Sequence, residues 1–212
     1  MRLRNNPNAM DILKENNNLV VLEPEKHRGK WKELFNNDNP IFIEVGMGKG
    51  DFVYGNAQAY PDVNFIGIER YPSVLAAAVN KINKSPALPN LRVIKFDASL
   101  LEEIFAYGEV AKLFLNFSDP WPKSRHAKRR LTSPQFLDIY KKVLDNDAII
   151  EFKTDNRLLF EYSLVTFSAY PMHLEYVSLD LHNSKENETN IQTEYERKFS
   201  KFGPIYKAIV RY

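Results

Sequence analysis

An α/β fold built on a doubly wound, mostly parallel sheet is predicted by three observations. Seven short apolar runs rich in β-branched and aromatic residues recur, at 41–45, 63–68, 91–96, 112–117, 148–152, 173–179 and 205–210. Most intervals between them carry apolar residues at helical spacing, as in PSVLAAAVNKIN, TSPQFLDIYKKVL and NRLLFEYSLVTFSAY. Strands alternating with helices are what a parallel sheet covered on both faces requires. Finally, 212 residues at 44% hydrophobic content suit one domain with a full core.

Taken in order, residues 1–22 are Asn-rich, carry Arg2 and Arg4, and read as a mobile arm ahead of a single domain at 23–212. The first run, IFIEV, passes into GMGKGDF, a glycine loop between a strand and a helix. The second, FIGIE, ends on Glu69, and the third, VIKFDA, ends on Asp97. The fourth runs into NFSDPWPKSRHAKRR, and the fifth ends the stretch VLDNDAIIEF, which lacks a glycine before the strand, and leads to KTDN. The seventh follows a short helix, EYERKFSKF, and a Gly-Pro turn, which suits a last strand entering antiparallel.

Composition excludes several classes of chemistry. The chain has no cysteine, so it has no disulfide, no thiolate nucleophile and no covalent cysteine route to a pyrimidine carbon. Its four histidines, His27, His126, His173 and His182, lack ligand spacing, so no metal is expected. The opening MRLRNNPNAMDIL has no signal-peptide core, and no run approaches the roughly 18 apolar residues of a membrane span. A cytoplasmic protein without membrane contact is expected, as a monomer or a homodimer. Charge is local: Lys123, Arg125, Lys128, Arg129 and Arg130 alone exceed the chain's net +2. A basic cluster on a nearly neutral body fits either a solvated loop or a polyanion docking at one place.

The glycine loop lies where such folds bind ligands, at the carboxyl ends of the strands. Gly46, Gly48 and Gly50 let the backbone approach a ligand closely. Their G-x-G-x-G spacing is not the G-x-G-x-x-G of dinucleotide folds. Glu44 beside them would repel a pyrophosphate and attract a cation, such as a sulfonium or an ammonium. Glu69 is placed to accept from ribose hydroxyls, and Asp97 from an adenine amino group. A lone acid at a strand end is commonly a turn or cap residue. Three on consecutive strands beside one glycine loop favour a shared ligand, and the ligand they describe is S-adenosylmethionine.

With NFSDPWPKSRHAKRR, FKTDN and TEYE added, the chain resembles the bacterial tRNA (guanine-N7)-methyltransferase family over nearly its whole length. The resemblance implies a Rossmann-like, seven-stranded methyltransferase sheet. It implies methyl transfer to N7 of a variable-loop guanosine of tRNA, guanosine-46 by tRNA convention. Glu44, Glu69, Asp97 and Asp119 match positions that surround S-adenosylmethionine in the family. Lys123, Asp155, Thr193, Glu194, Tyr195 and Glu196 match positions associated with the substrate.

The residues of this stretch also argue by themselves. Asp119 follows the fourth strand and shares the cofactor's end of the sheet, while Pro120 and Pro122 stiffen a turn presenting Trp121. Guanine N7 carries an in-plane lone pair, so no strong general base is needed; alignment is, and Asp119 is the candidate catalytic group, stabilising positive charge that develops on the purine. Trp121 reads either as a wall of the base pocket or as core. Ser124, Arg125, His126, Ala127, Lys128, Arg129 and Arg130 would grip phosphates while the pocket holds the base. Asp155 reads as a contact to the guanine edge or a helix cap. Thr193 and Glu196 match the capping-box pattern T-x-x-E.

Overall fold

The computed structural model describes residues 5–212, so Arg2 and Arg4 lie outside the described residues. The strands are β1 (Val20–Val21), β2 (Ile41–Val45), β3 (Asn64–Glu69), β4 (Leu91–Lys95), β5 (Val110–Asn116), β6 (Leu144–Thr154), β7 (His173–Ser178) and β8 (Tyr206–Arg211). The α-helices are α1 (Ala9–Glu15), α2 (Trp31–Phe35), α3 (Asp51–Ala59), α4 (Pro72–Ile82), α5 (Pro134–Lys141), α6 (Arg157–Ala169) and α7 (Glu194–Phe199). Among the described residues the strands form one sheet, in the order β1-β4-β3-β2-β5-β6-β8-β7. All neighbours pair in parallel except β8, which runs antiparallel to both β6 and β7.

The alternation of side chains along the strands builds two cores, one on each face. Ile41, Ile43, Val45, Ile66, Ile68, Leu113 and Leu115 face a layer containing Trp31, Leu137, Tyr140 and Phe160. Phe65, Val93 and Phe114 face the opposite layer with Leu13, Phe52, Leu75 and Val79. Period-two alternation in strands that are buried on both sides explains why the runs read as continuously apolar.

Seven strands lie where the apolar runs place them, with ends shifted by up to four residues. Two expectations are corrected. The sheet has an eighth strand, β1, which pairs with β4 through Val20 and Val21. The segment read as an arm is, over residues 9–21, part of the fold: Leu13 is fully buried and Ala9 nearly so in the core beside α4. Asn6 N donates to Ser73 Oγ in the first turn of α4 (2.9 Å). The Asn-rich composition concealed one apolar helix face. Before the fifth predicted strand the missing glycine is replaced by a bulge: pairing jumps from Val110↔Leu144 to Lys112↔Ile149. Asp145 Oδ1 turns that bulge by accepting from Asp147 N (3.0 Å).

Candidate active site

Strands β2 to β5 end on one side of the sheet, and the loops leaving them enclose a cleft of about 890 Å³. Gly46 and Gly48 adopt φ of +78° and +57°, and a Cβ on either would meet open space; at Gly46 the backbone itself lines the cleft. Gly46 N and Met47 N both donate to Ile68 O, at 2.8 and 3.1 Å, folding the loop over β3. That fold depends on Gly67, where a Cβ would lie 2.3 Å from Met47 Sδ.

Glu69 braces this loop from beneath. Its Oε2 accepts from Gly48 N (3.2 Å) and its Oε1 from Tyr71 N (2.9 Å). Burial raises its pKa against those backbone donors, and the charge of Asp119 across the cleft adds to the rise. Asp97 lines the same cleft but also caps the 3-10 turn Ala98–Glu103, accepting from Ser99 N (3.0 Å) and Ser99 Oγ (2.8 Å). Its carboxyl is held below the usual range: burial opposes this, but the Ser99 bonds and the Arg70 guanidinium at 3.3 Å outweigh it.

Glu44 lies under the glycine loop rather than in the cleft wall, only 2% exposed. Asn116 Nδ2 donates to its Oε1 at 2.9 Å. Glu44 Oε2, Asn116 Oδ1 and Ser118 Oγ are buried and have no hydrogen-bond partner. Burial pushes the Glu44 pKa up to about 8, against the Asn116 bond and the Lys153 charge. An orphaned buried acceptor costs about 1–3 kcal/mol, so this cluster is suited to a donor-bearing, cationic group arriving from the cleft.

The opposite wall is the chain after β5. Phe117 (φ +51°) and Trp121 (φ +42°) both hold left-handed conformations that a side chain rarely adopts, and Asp119 stands exposed between them. Strained backbone of this kind concentrates at functional sites. Arg130 fixes the turn, its Nε donating to Pro120 O (3.0 Å) and its Nη2 to Trp121 O (3.1 Å), with its guanidinium over the Tyr162 ring. Trp121 is half-buried and lines the cleft, edge-on to His126 and under the Arg129 guanidinium, 4.9 Å away. Trp121 is therefore not a core residue: it lines the cleft.

The last elements pack against this wall through Phe117. The Tyr195 ring packs against Phe117 at 5.1 Å, and its hydroxyl donates to Asp155 Oδ2 (2.9 Å). Asn156, not Asp155, caps α6, by accepting from Leu159 N (2.8 Å). Thr193 caps α7 by accepting from Glu196 N (2.9 Å), but the reciprocal half of the capping box is absent. Glu196 instead accepts from Lys153 Nζ (2.8 Å), Asn190 Nδ2 (2.7 Å) and the His182 ring (3.0 Å), all beneath α7. Lys49 and Lys81 at 2.8 and 3.3 Å, with Lys198, hold Glu194, whose pKa falls to about 2 chiefly through the Lys198 bond.

A family model described as "Putative methyltransferase" matches residues 38–208. A tRNA (guanine-N(7)-)-methyltransferase of Listeria welshimeri is 55% identical over 98% of this chain and 96% of its own length. Proteins of the same name from Geobacillus sp. (strain WCH70) and Bacillus licheniformis are 54% and 53% identical, over 100% and 98% of this chain and 96% and 97% of theirs. The chain belongs to the tRNA (guanine-N7)-methyltransferase family. Among solved structures, the 16S rRNA methyltransferase KamB superposes with a TM-score of 0.66 at 15% identity, covering 86% of this chain and 92% of that one. A 16S rRNA (adenine(1408)-N(1))-methyltransferase from Catenulisporales acidiphilia, solved with its cosubstrate, gives 0.63 at 14% identity over 90% and 92%. These two establish a shared fold only.

For this family member the geometry sorts the predicted residues. Gly46, Glu69, Asp97, Asp119, Trp121, Lys128 and Arg129 line the cleft. Glu44 and Gly48 support it from below. Lys123, Ser124 and Arg125 are exposed beyond its edge, with half-buried His126 and Ala127 behind them. Two of the Arg130 donors, Nε and Nη2, are taken by the turn carbonyls. Glu196 is corrected from a substrate contact to a buried ion-pair partner, because it is fully enclosed. Sequence reasoning missed Asn116, Ser118 and Tyr71, which also line the cleft. A polar residue ending an otherwise apolar strand was the available signal for Asn116. Among the described residues no cluster of three potential metal ligands occurs, and no helix is long and apolar enough to cross a membrane.

Proposed function

We propose that the protein transfers a methyl group from S-adenosylmethionine to N7 of a guanosine in the tRNA variable loop, guanosine-46 by tRNA convention. The carrying observation is the stretch after β5: a strained turn and the 3-10 segment Ser124–Arg129 that follows it put Asp119, Trp121, Lys128 and Arg129 in the lining of the cleft that Glu69 and Asp97 also line. The relatives' names supply the substrate, and the orphaned acceptors Glu44 Oε2 and Asn116 Oδ1 fit the cofactor's ammonium. Glu69 and Asp97 would hold its ribose and adenine. When bound, it supplies a methyl group on a sulfonium that leaves as a neutral thioether.

The residues of the other wall then act on the base. Trp121 offers a flat face for a base out of its stack, and Lys128 and Arg129 offset the cost of extruding it by holding neighbouring phosphates. N7 attacks with its own lone pair, so no proton leaves in the transfer step. The positive charge that passes to the purine is stabilised by the Asp119 carboxylate. Nucleoside mass spectrometry of unmodified tRNA incubated with protein and cofactor tests this directly, with N7-specific chemical cleavage locating the product. The expected result is 7-methylguanosine at one variable-loop position; methyl on any other atom overturns the reading.

A further inference from the structure

Beyond the cleft, four aromatic rings run in a row from its wall to open solvent. Phe117 lines the cleft; Tyr195 lies 5.1 Å from it, Phe199 lies 4.2 Å from Tyr195 with the two rings nearly parallel, and Phe202 lies 6.1 Å from Phe199. Exposure rises outward: Phe117 is half-buried, Tyr195 and Phe199 are each 41% exposed and Phe202 is 74% exposed. Two consecutive short elements, α7 and the 3-10 turn Ser200–Phe202, hold the last three rings. Lys201 rests over the Phe202 ring at 5.1 Å and enters no ion pair among the described residues.

We propose that this row is a stacking track for the unpaired nucleotides that flank the target base, with Phe199, Phe202 and Lys201 as its outer part. The proposal rests on the functional reading above. Extruding one base from a stack deprives its neighbours of π-surface, and sequence-tolerant binding of such neighbours uses aromatic faces interleaved with cations. The row begins at a residue of the cleft wall, so the strand leaving the cleft meets Tyr195 first. Lys201 supplies a charge that suits the phosphate between successive bases, which a protein or second-copy interface would not need.

The test uses the full-length protein and an unmodified full-length tRNA transcript, with binding titrated at several salt concentrations. Phe202→Ala should weaken binding roughly 5- to 150-fold, the loss of one stacked base, without changing the salt slope. Lys201→Ala should flatten that slope by about 0.7–0.9 for the one phosphate released. Phe202→Trp should bind as tightly as the parent, and tRNA should quench its added fluorescence. Cofactor binding and the melting temperature report that the variants are folded. Phe202→Ala binding like the parent, while the parent binds and methylates tRNA, overturns the track alone. A parent that does not bind tRNA overturns the functional reading and the track together. A change of oligomeric state in Phe202→Ala with unaltered RNA affinity assigns the surface to a second copy and also overturns it.

Discussion

Glu44 and Glu196 are both glutamates buried almost completely, 2% and 0% exposed, and both feel the charge of Lys153, which bonds only to Glu196 of the two. Their surroundings differ. Glu196 accepts from Lys153, Asn190 and His182, and although burial pushes its pKa up, those partners pull it below the usual value. Glu44 has one partner, one orphaned oxygen and a pKa of about 8. The region under α7 has its acceptors filled, whereas the region under the glycine loop holds three buried polar atoms without a partner. Burial of a charged group therefore does not by itself separate the two; the unfilled oxygen does.

The largest effect should come from breaking the completed region. Lys153→Met leaves Glu196 enclosed without its main cation and should lower the unfolding free energy by about 3–5 kcal/mol in urea titrations. Adding Glu196→Leu should recover most of it, since an apolar pair of similar volume avoids the desolvation cost. A loss under about 1 kcal/mol would mean that the two glutamates are not so different.

On the unfilled side, Asp119→Asn keeps shape and removes charge. It should retain most tRNA affinity and lose single-turnover methyl transfer by roughly 100-fold or more, the cost of a missing electrostatic partner of about 2.7–4 kcal/mol. Full activity would reduce Asp119 to a turn residue.

Glu44→Gln sharpens the comparison through pH. The folded pKa of about 8 lies above the unfolded value of 4.5, so the native state binds the extra proton between them. Stability from this group is fully present below pH 4.5 and declines as pH rises toward 8. The ligand-free Gln variant should therefore melt like the parent at about pH 5 and several degrees higher at about pH 8, at about 2–4 °C per kcal/mol. Equal melting at both values would show that Glu44 is ionised without cost.

The smallest effect per residue belongs to the exposed cations. Replacing Arg125, Lys128 and Arg129 with Ala should weaken tRNA binding and flatten its salt dependence by about 0.7–0.9 of a log unit for each phosphate no longer held. An unchanged slope would leave the segment as a solvated loop.

What the sequence disclosed of this arrangement was what is local. IFIEV and FIGIE announced strands because both faces of each are covered, and GMGKG announced a loop because glycine readily accepts its φ values. Val20 and Val21 were missed as a strand because two residues carry no periodicity. Arg130 read as one cation among five; its bonds to Pro120 O and Trp121 O exist only once the turn has closed. Glu196 was hidden by a true local signal: T-x-x-E does cap α7 through Thr193, while the glutamate side chain reaches Lys153 on β6, which no spacing rule connects to it.

Six residues are too few for α7 to persist as a helix by itself, since isolated helices under about 12–15 residues are marginal in water. Its presence on the sheet depends on Lys153, on the Asp155 bond to Tyr195, and on the Asp51 pair with Arg197. The last is partly exposed and is screened by salt, the buried pair much less so. Hydrogen exchange of the α7 amides would test whether this short element opens apart from the sheet it rests on. Concentrated salt should loosen the Asp51–Arg197 tie and leave the buried Lys153–Glu196 tie nearly unchanged.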